Sequence, residues 1–576
     1  MTLSECRNRP IHANRLMRVI CIGSGASGLY LAYRLQSCFT DYTLDVYEKN
    51  ADVGGTWFEN RYPGCACDIP AHNYTYTFEP NANWSANYAS SSEIARYFSG
   101  FADKYGLRRY IKFEHEVIGA RWDEARSEWS VRVRKTDGKV FEHACDFLIN
   151  AAGILNAWKL PDITGLDSFK GTLVHTARWN EAIDVAGKTV GLVGNGSSGI
   201  QILPELQRTA QHVTAFLRGP TWVSPARGME YHIYTEEERK RFQDTPTELL
   251  AMRKQTESFM TSATLFSLFI KGSKAQEVLA QDMEDHMRMK IDNDLLAQAL
   301  IPEYPLGCRR PTPGINYLES LAKPNVRAYH GTIKEVTASG CITDDGSVHP
   351  LDILVCATGF DSSFCPRFPI VGRNGVNLAA QWAEEPRNYL SLAVHNFPNY
   401  FMFLGPNCPI GSGPIMVCIE AACEYMANFM NRWQKEDIKF FDPSEEAIND
   451  FMEQKDLFMD MTVWKSGCRS WWRNNETGKV TALWPGSTLH YLEALAYPRY
   501  EDFEVQYASR NRFAYLGNGF SQRQLDPSAD QTYYLRQRDE GSVLSNGMST
   551  RNVKDLGDLL TQCRFGPGGS EGNSTE

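Results

Sequence analysis

Short apolar runs alternate along the chain with glycine-rich turns and helix-length segments. Residues 18–22 (RVICI) form a compact β-branched run, followed at once by Gly23-Ser24-Gly25-Ala26-Ser27-Gly28 and by helical composition at 29–35. The same order returns at 188–193 (KTVGLV), with Gly194-Asn195-Gly196-Ser197-Ser198-Gly199 and a helical stretch at 200–206 containing Pro204. Further strand-like runs lie at 43–47, 146–149, 213–217, 325–329, 333–337 and 351–356. Alternation of fully apolar strands with helices predicts parallel sheets covered on both faces. Between them, residues 235–301 are charged and helical in texture, with helices expected at 236–241, 249–254 and 282–300. At 419–433, Ile419, Ala422, Cys423, Met426, Phe429, Met430 and Trp433 share one helical face, the pattern of a core stripe.

Strand, glycine turn and helix in sequence are the context a dinucleotide fingerprint requires. Gly23 permits the tight turn, Gly25 admits the pyrophosphate to the backbone, and Gly28 lets helix and strand pack closely. The second strand of this unit ends at Glu48, where a ribose-binding carboxylate belongs. In the second unit Gly194, Gly196 and Gly199 repeat the glycines, with Ser197 and Ser198 opening the helix. The corresponding strand there ends at Arg218 instead. A carboxylate hydrogen-bonds a free ribose 2′-hydroxyl, whereas a guanidinium favours a 2′-phosphate. The first site therefore reads as an FAD site and the second as an NADPH site.

Size and charge narrow the class. A chain of 576 residues exceeds one core, so several domains are expected. A net charge of −10 argues against a nucleic-acid partner. The polar, basic N-terminus has no secretory signal, and the most apolar window, 259–270, is too short to span a membrane, so a cytoplasmic protein with reduced thiols is expected. The 15 cysteines show no metal-ligand spacing, and no metal is expected. Cys65-Ala66-Cys67 has the wrong spacing for the redox pair of a disulfide reductase.

Other motifs carry a more specific resemblance. Gly54-Gly55-Thr56-Trp57, then Arg61-Tyr62-Pro63-Gly64 and Asp68, resemble the flavin-side segments of class B flavoprotein monooxygenases. The run Phe169, Gly171, His175, Trp179 resembles the F-x-G-x-x-x-H-x-x-x-W linker fingerprint of type I Baeyer–Villiger monooxygenases, with Asn180 where Pro or Asp is usual. Arg309-Arg310 occupies the place of a Lys-Arg pair, and Ala152 and Thr358 sit in two A-x-G segments at the domain crossings.

The resemblance implies an α/β fold: two Rossmann-like dinucleotide-binding domains, for FAD and NADPH, with a helical insertion in the NADPH domain. The implied divisions are an extension at 1–17, FAD-domain segments at 18–158 and 361–540, and NADPH-domain segments at 159–229 and 305–360. The insertion would occupy 230–304, and a flexible tail 541–576. Gly55, Thr56, Trp57, Asp68 and Tyr74 would lie along the flavin, and Arg309 would reach the NADP phosphate. Arg310, paired with Asp68, would stabilise negative charge on oxygen, while His175 and Trp179 would couple coenzyme binding to closure. The implied reaction takes a small-molecule ketone, O2 and NADPH to an ester or lactone. A Trp-rich stretch at 470–487 resembles the substrate-side loop of fungal members and hints at a bulky secondary metabolite. Buried packing of those tryptophans is the equal alternative. A flavin N- or S-hydroxylase and a non-oxygenating flavoprotein reductase are the rival functions, and oligomeric state stays open.

Overall fold

A computed structural model describes residues 9–225 and 229–535. Two five-stranded parallel sheets organise it. In the first, the order is Tyr400–Met402, Phe147–Asn150, Met17–Ile22, Tyr42–Tyr47, Ile111–Lys112. In the second it is Val326–His330, His212–Leu217, Thr189–Val193, Ile353–Cys356, Thr172–His175. Their central strands are almost wholly buried, which is why they read as continuous apolar runs and not as alternating ones. In each sheet the strand before the glycine loop lies between two strands that both follow it in the chain, the next of its unit on one side and a later one on the other. Both glycine loops therefore leave a switch point, where open α/β sheets bind ligands.

Helix Ala26–Cys38 packs against helix Ile415–Lys435, whose seven expected stripe residues are all buried in the first core. A four-stranded sheet, Ile370–Val371, His115–Asp123, Glu128–Lys135 and Val140–Cys145, covers the other face of the first parallel sheet around Trp122 and Trp129. The chain leaves the second unit after Val223–Ser224 and returns at Thr312–Pro313, and these two short strands pair in parallel. The helices between them are Glu236–Asp244, Pro246–Met260, Ala263–Ser267, Lys274–Ile291 and Asp294–Leu300.

Two expectations change, and the packing of the Trp-rich stretch is seen. The run at 282–300 is two helices, because Asp292 turns left-handed at φ 46° and the Asn293 side chain caps the next helix at Leu296 N. The thiols are not all reduced: Cys308 and Cys468 form a disulfide across 160 residues with Cα atoms 6.3 Å apart, a pairing no local spacing announces. Among the described residues the other cysteines form no disulfide, and all but Cys365 are buried. In the Trp-rich stretch, Trp472 and Trp484 are core residues and Trp471 packs against that core. The tail expected at 541–576 lies outside the described residues. No helix among the described residues is long and apolar enough to cross a membrane.

Candidate active site

The two glycine loops are built alike. Gly23 and Gly194 have φ of 98° and 105°, the left-handed region that glycine alone enters cheaply. A Cβ on Gly28 would lie 2.0 Å from the Gly23 carbonyl oxygen, and one on Gly199 would lie 2.2 Å from that of Gly194. Each glycine is thus required for the helix to seat on its own turn. Gly25 and Gly196 cap helices Ala26–Cys38 and Ser197–Thr209, with no side-chain cap and no acidic residue in the first turn. Free N–H groups and the positive end of the helix dipole make both termini fit for a pyrophosphate. A Cβ at Gly196 would meet nothing within 4 Å, so the space before it is open.

Glu48 is buried at the end of its strand. Its carboxylate accepts from Ser24 N at 2.8 Å, Ser24 Oγ at 3.0 Å and Asn50 N at 2.9 Å, which aims it beside the first glycine loop. The Gly54-Gly55 turn leans on the same loop: Gly54 N donates to the Ser24 carbonyl at 3.2 Å. Gly55 has φ 53°, and a Cβ there would sit 3.0 Å from Gly25 Cα. Thr56 opens a short helix and is exposed; Trp57 Nε1 donates to Tyr74 Oη at 3.1 Å. In the second unit Ser197 Oγ and Thr312 Oγ1 are 2.8 Å apart, and Arg218 stands exposed after its strand. Arg309 Nη1 donates to the Pro220 carbonyl at 3.3 Å.

Asp68 and Arg310, far apart in sequence, meet between the two units. Arg310 Nε donates to Asp68 Oδ2 at 2.6 Å and Nη2 to Oδ1 at 2.9 Å, a two-pronged pair, while Nη1 donates to the Ile410 carbonyl at 3.1 Å. Burial disfavours the guanidinium charge, but the Asp68 carboxylate outweighs it and holds the Arg310 pKa above its ordinary value. Beside the pair opens a cleft of about 810 Å³, walled by Trp57, Tyr62, Asp68 and Tyr88 on one side and by Ile200 and Gln201 on the other. Tyr62 Oη donates to Gln201 Oε1 at 2.6 Å, and Gln201 Nε2 to the Ala66 carbonyl at 2.9 Å, joining the two walls.

The linker motif lies where the chain passes between the parallel sheets. Gly171 is required at the edge of the second sheet, since a Cβ there would lie 2.3 Å from the Asp352 carbonyl oxygen. Phe169 packs beneath that edge and Trp179 is buried in the second core. His175 ends the edge strand; its Nδ1 accepts from Ala177 N at 3.1 Å. Its ring stacks on Trp158 at 5.2 Å and meets the edge of Phe360 at 6.1 Å. Trp158 and Phe360 form an isolated bridge between the outgoing and returning interdomain strands. Burial lowers the His175 pKa to about 4, so the ring is neutral near pH 7.

Residues 16–373 match the model of the flavin-binding monooxygenase-like family. The chain belongs to that family. This monooxygenase is 39% identical over 520 residues to the FAD-binding monooxygenase moxY of Dothistroma septosporum, covering 88% of this chain and 83% of that one. It is 39% identical over 536 residues to the FAD-binding monooxygenase tazF of Aspergillus terreus, covering 90% and 94%. Among solved structures, cyclohexanone monooxygenase from Rhodococcus bound to NADP+ is 28% identical with a TM-score of 0.76, covering 86% of this chain and 100% of that one. An oxidised steroid monooxygenase bound to NADP is 28% identical with a TM-score of 0.74, covering 85% and 99%.

Several residues of this monooxygenase's site escaped sequence reading. The Ile410 carbonyl is a backbone acceptor with no side-chain signature. Trp158 and Phe360 flank the two domain crossings, and only their place beside those crossings hints at them. Gln201 sits on the second loop's helix, where helical spacing alone marks it as one polar position among others.

Proposed function

We propose that this chain is an FAD- and NADPH-dependent Baeyer–Villiger monooxygenase that inserts one oxygen atom of O2 beside the carbonyl of a bulky ketone, giving an ester or lactone. The observation that carries the reading is Arg310, locked by both Asp68 oxygens and the Ile410 carbonyl beside a cleft between the two nucleotide-binding units. Gly23, Gly25, Gly28, Glu48, Gly55, Thr56, Trp57 and Tyr74 would hold FAD, and Gly194, Gly196, Ser197, Ser198, Gly199, Arg218 and Arg309 would hold NADPH. When bound, the flavin supplies the electron path from the nicotinamide to dioxygen.

The chain's own residues supply position and charge. The uncapped helix termini neutralise the pyrophosphates, and Glu48 orients the ribose. Arg310 stays protonated and presents a fixed positive charge where negative charge builds on oxygen. Asp68 keeps that guanidinium from swinging away. His175, stacked between the two interdomain strands, ties coenzyme binding to their relative position, and Trp179 anchors the strand end in the second core.

The test is product analysis under 18O2 with purified FAD-loaded protein, NADPH and a panel of linear, cyclic and polycyclic ketones. An ester or lactone carrying one labelled atom per NADPH consumed is expected. With organic sulfides and amines offered in parallel, labelled sulfoxide or hydroxylamine and no ester from any ketone would transfer the assignment to the N- or S-hydroxylating alternative. Hydrogen peroxide as sole product throughout would overturn the oxygen-insertion reading.

A further inference from the structure

Positive charge gathers at the second nucleotide unit without an answering carboxylate. Arg218 follows strand His212–Leu217 and is exposed. Arg309 reaches the same corner, since its Nη1 bonds the carbonyl of Pro220, two residues beyond Arg218. A third arginine arrives from the C-terminal third. The Cys308–Cys468 disulfide joins the residue before Arg309 to the residue before Arg469, with Cα atoms 6.3 Å apart. Trp472, buried at 1% exposure, pins the other end of that turn, and Arg473 donates to the Ser466 carbonyl at its base. Arg469 is therefore an exposed side chain on a backbone fastened at both ends.

Among the described residues, Arg218, Arg309 and Arg469 form no ion pair, although the molecule as a whole is acidic. Burial and then the positive charges of Arg469 and Arg309 lower the Arg218 pKa, which agrees with the placement of both arginines near it. Like charges held together on a fixed scaffold are unfavourable unless an anion is shared among them. The nearest anion the fold calls for is at the second glycine loop, whose strand partner ends at Arg218 itself.

We propose that Arg469 is a third cationic residue of the coenzyme site, that it recognises the 2′-phosphate together with Arg218 and Arg309, and that the Cys308–Cys468 bridge holds it in reach. This rests on the reading of the second unit as an NADPH site. It makes the preference for a 2′-phosphorylated coenzyme depend on a covalent tie between the coenzyme domain and the C-terminal third, and so on the oxidation state of two cysteines.

The experiment is calorimetric titration of the FAD-loaded, disulfide-bonded protein with 2′,5′-ADP and, separately, with 5′-AMP. Arg469→Ala should weaken 2′,5′-ADP binding about tenfold and leave 5′-AMP binding unchanged, while Arg469→Lys should restore most of it. Cys468→Ser, or reduction by a phosphine, should produce the same selective loss. Unchanged 2′,5′-ADP affinity in Arg469→Ala, or an equal loss for both nucleotides, would overturn the assignment of Arg469. Selective loss in Arg469→Ala with none in Cys468→Ser would overturn the role given to the bridge. Wild-type protein that binds both nucleotides equally would overturn the NADPH reading beneath the proposal.

Discussion

Arg310 is useful because it is not free. A guanidinium loose in solvent would spread its charge over many rotamers, whereas three hydrogen bonds leave this one a single orientation. Arg310→Ala should still oxidise NADPH in the presence of FAD but lose ester formation by at least about a hundredfold, as removal of a charge-stabilising group does; separate assays of coenzyme consumption and ester yield check this. Asp68→Asn keeps the shape and removes the charge, so it should cost less, about tenfold in ester yield, with NADPH affinity unchanged. Arg218→Ala should raise KM for NADPH far more than for NADH. The Arg310 and Asp68 pairing followed in the sequence from two motifs and a resemblance. The third partner, Ile410, did not, because a carbonyl carries no identity that its residue type reveals.

At the scale of elements, the paired glycines do different jobs that their motif alone does not separate. Gly28 has no room: a Cβ would strike the Gly23 carbonyl at 2.0 Å. Gly28→Ala should push the helix off its strand, destabilise the first unit by about 2 kcal/mol or more, and release FAD, measured by thermal unfolding and flavin retention. Gly196→Ala meets nothing within 4 Å and should leave the melting temperature unchanged while weakening NADP binding. The helical insertion docks on the first unit through His72, whose ring lies 5.0 Å from Tyr234 and 5.3 Å from Phe242.

Burial, reinforced by the nearby Arg253 charge, lowers the His72 pKa from 6.5 to about 4, and burial does the same for His175. The unfolded chain takes up these protons near pH 6.5, whereas the folded chain refuses them until about pH 4. Stability is therefore full above about pH 6.5 and falls as pH drops toward 4, by about 3 kcal/mol per histidine. Denaturation between pH 7.5 and 5 should show that slope, and His72→Phe should make it shallower. Helix positions were legible from periodicity, while the break at Asp292 depended on a left-handed turn that composition permits but does not demand.

For the molecule as a whole, the disulfide closes 160 residues, spanning the return to the second unit and the first part of the C-terminal third. Chain-entropy arguments give such a loop about 5 kcal/mol. Reduction, or Cys308→Ser, should lower the unfolding midpoint measurably with the cofactors absent; an unchanged midpoint would show that the core packing around Trp472, which meets the buried Trp464 edge-on, suffices. The two units also touch through Tyr62 and Gln201, and Tyr62→Phe should cost about 1 kcal/mol, read as a small fall in the same midpoint.

Local physics explains why so much could be read in one dimension. Apolar strands, glycine turns and helical stripes are short-range patterns, and each glycine loop announces itself within a dozen residues. The two parallel sheets, their glycine loops, Glu48 and Arg218 at their strand ends, and the core stripe on Ile415–Lys435 were all present in the order of residues. Contacts that join distant segments were not. The Cys308–Cys468 bridge that brings Arg469 toward Arg309, the Ile410 carbonyl on Arg310 and the Trp158–Phe360 bridge around His175 each depend on how separately folded elements come to rest together. Their energies belong to packing between elements, which leaves no period in the sequence.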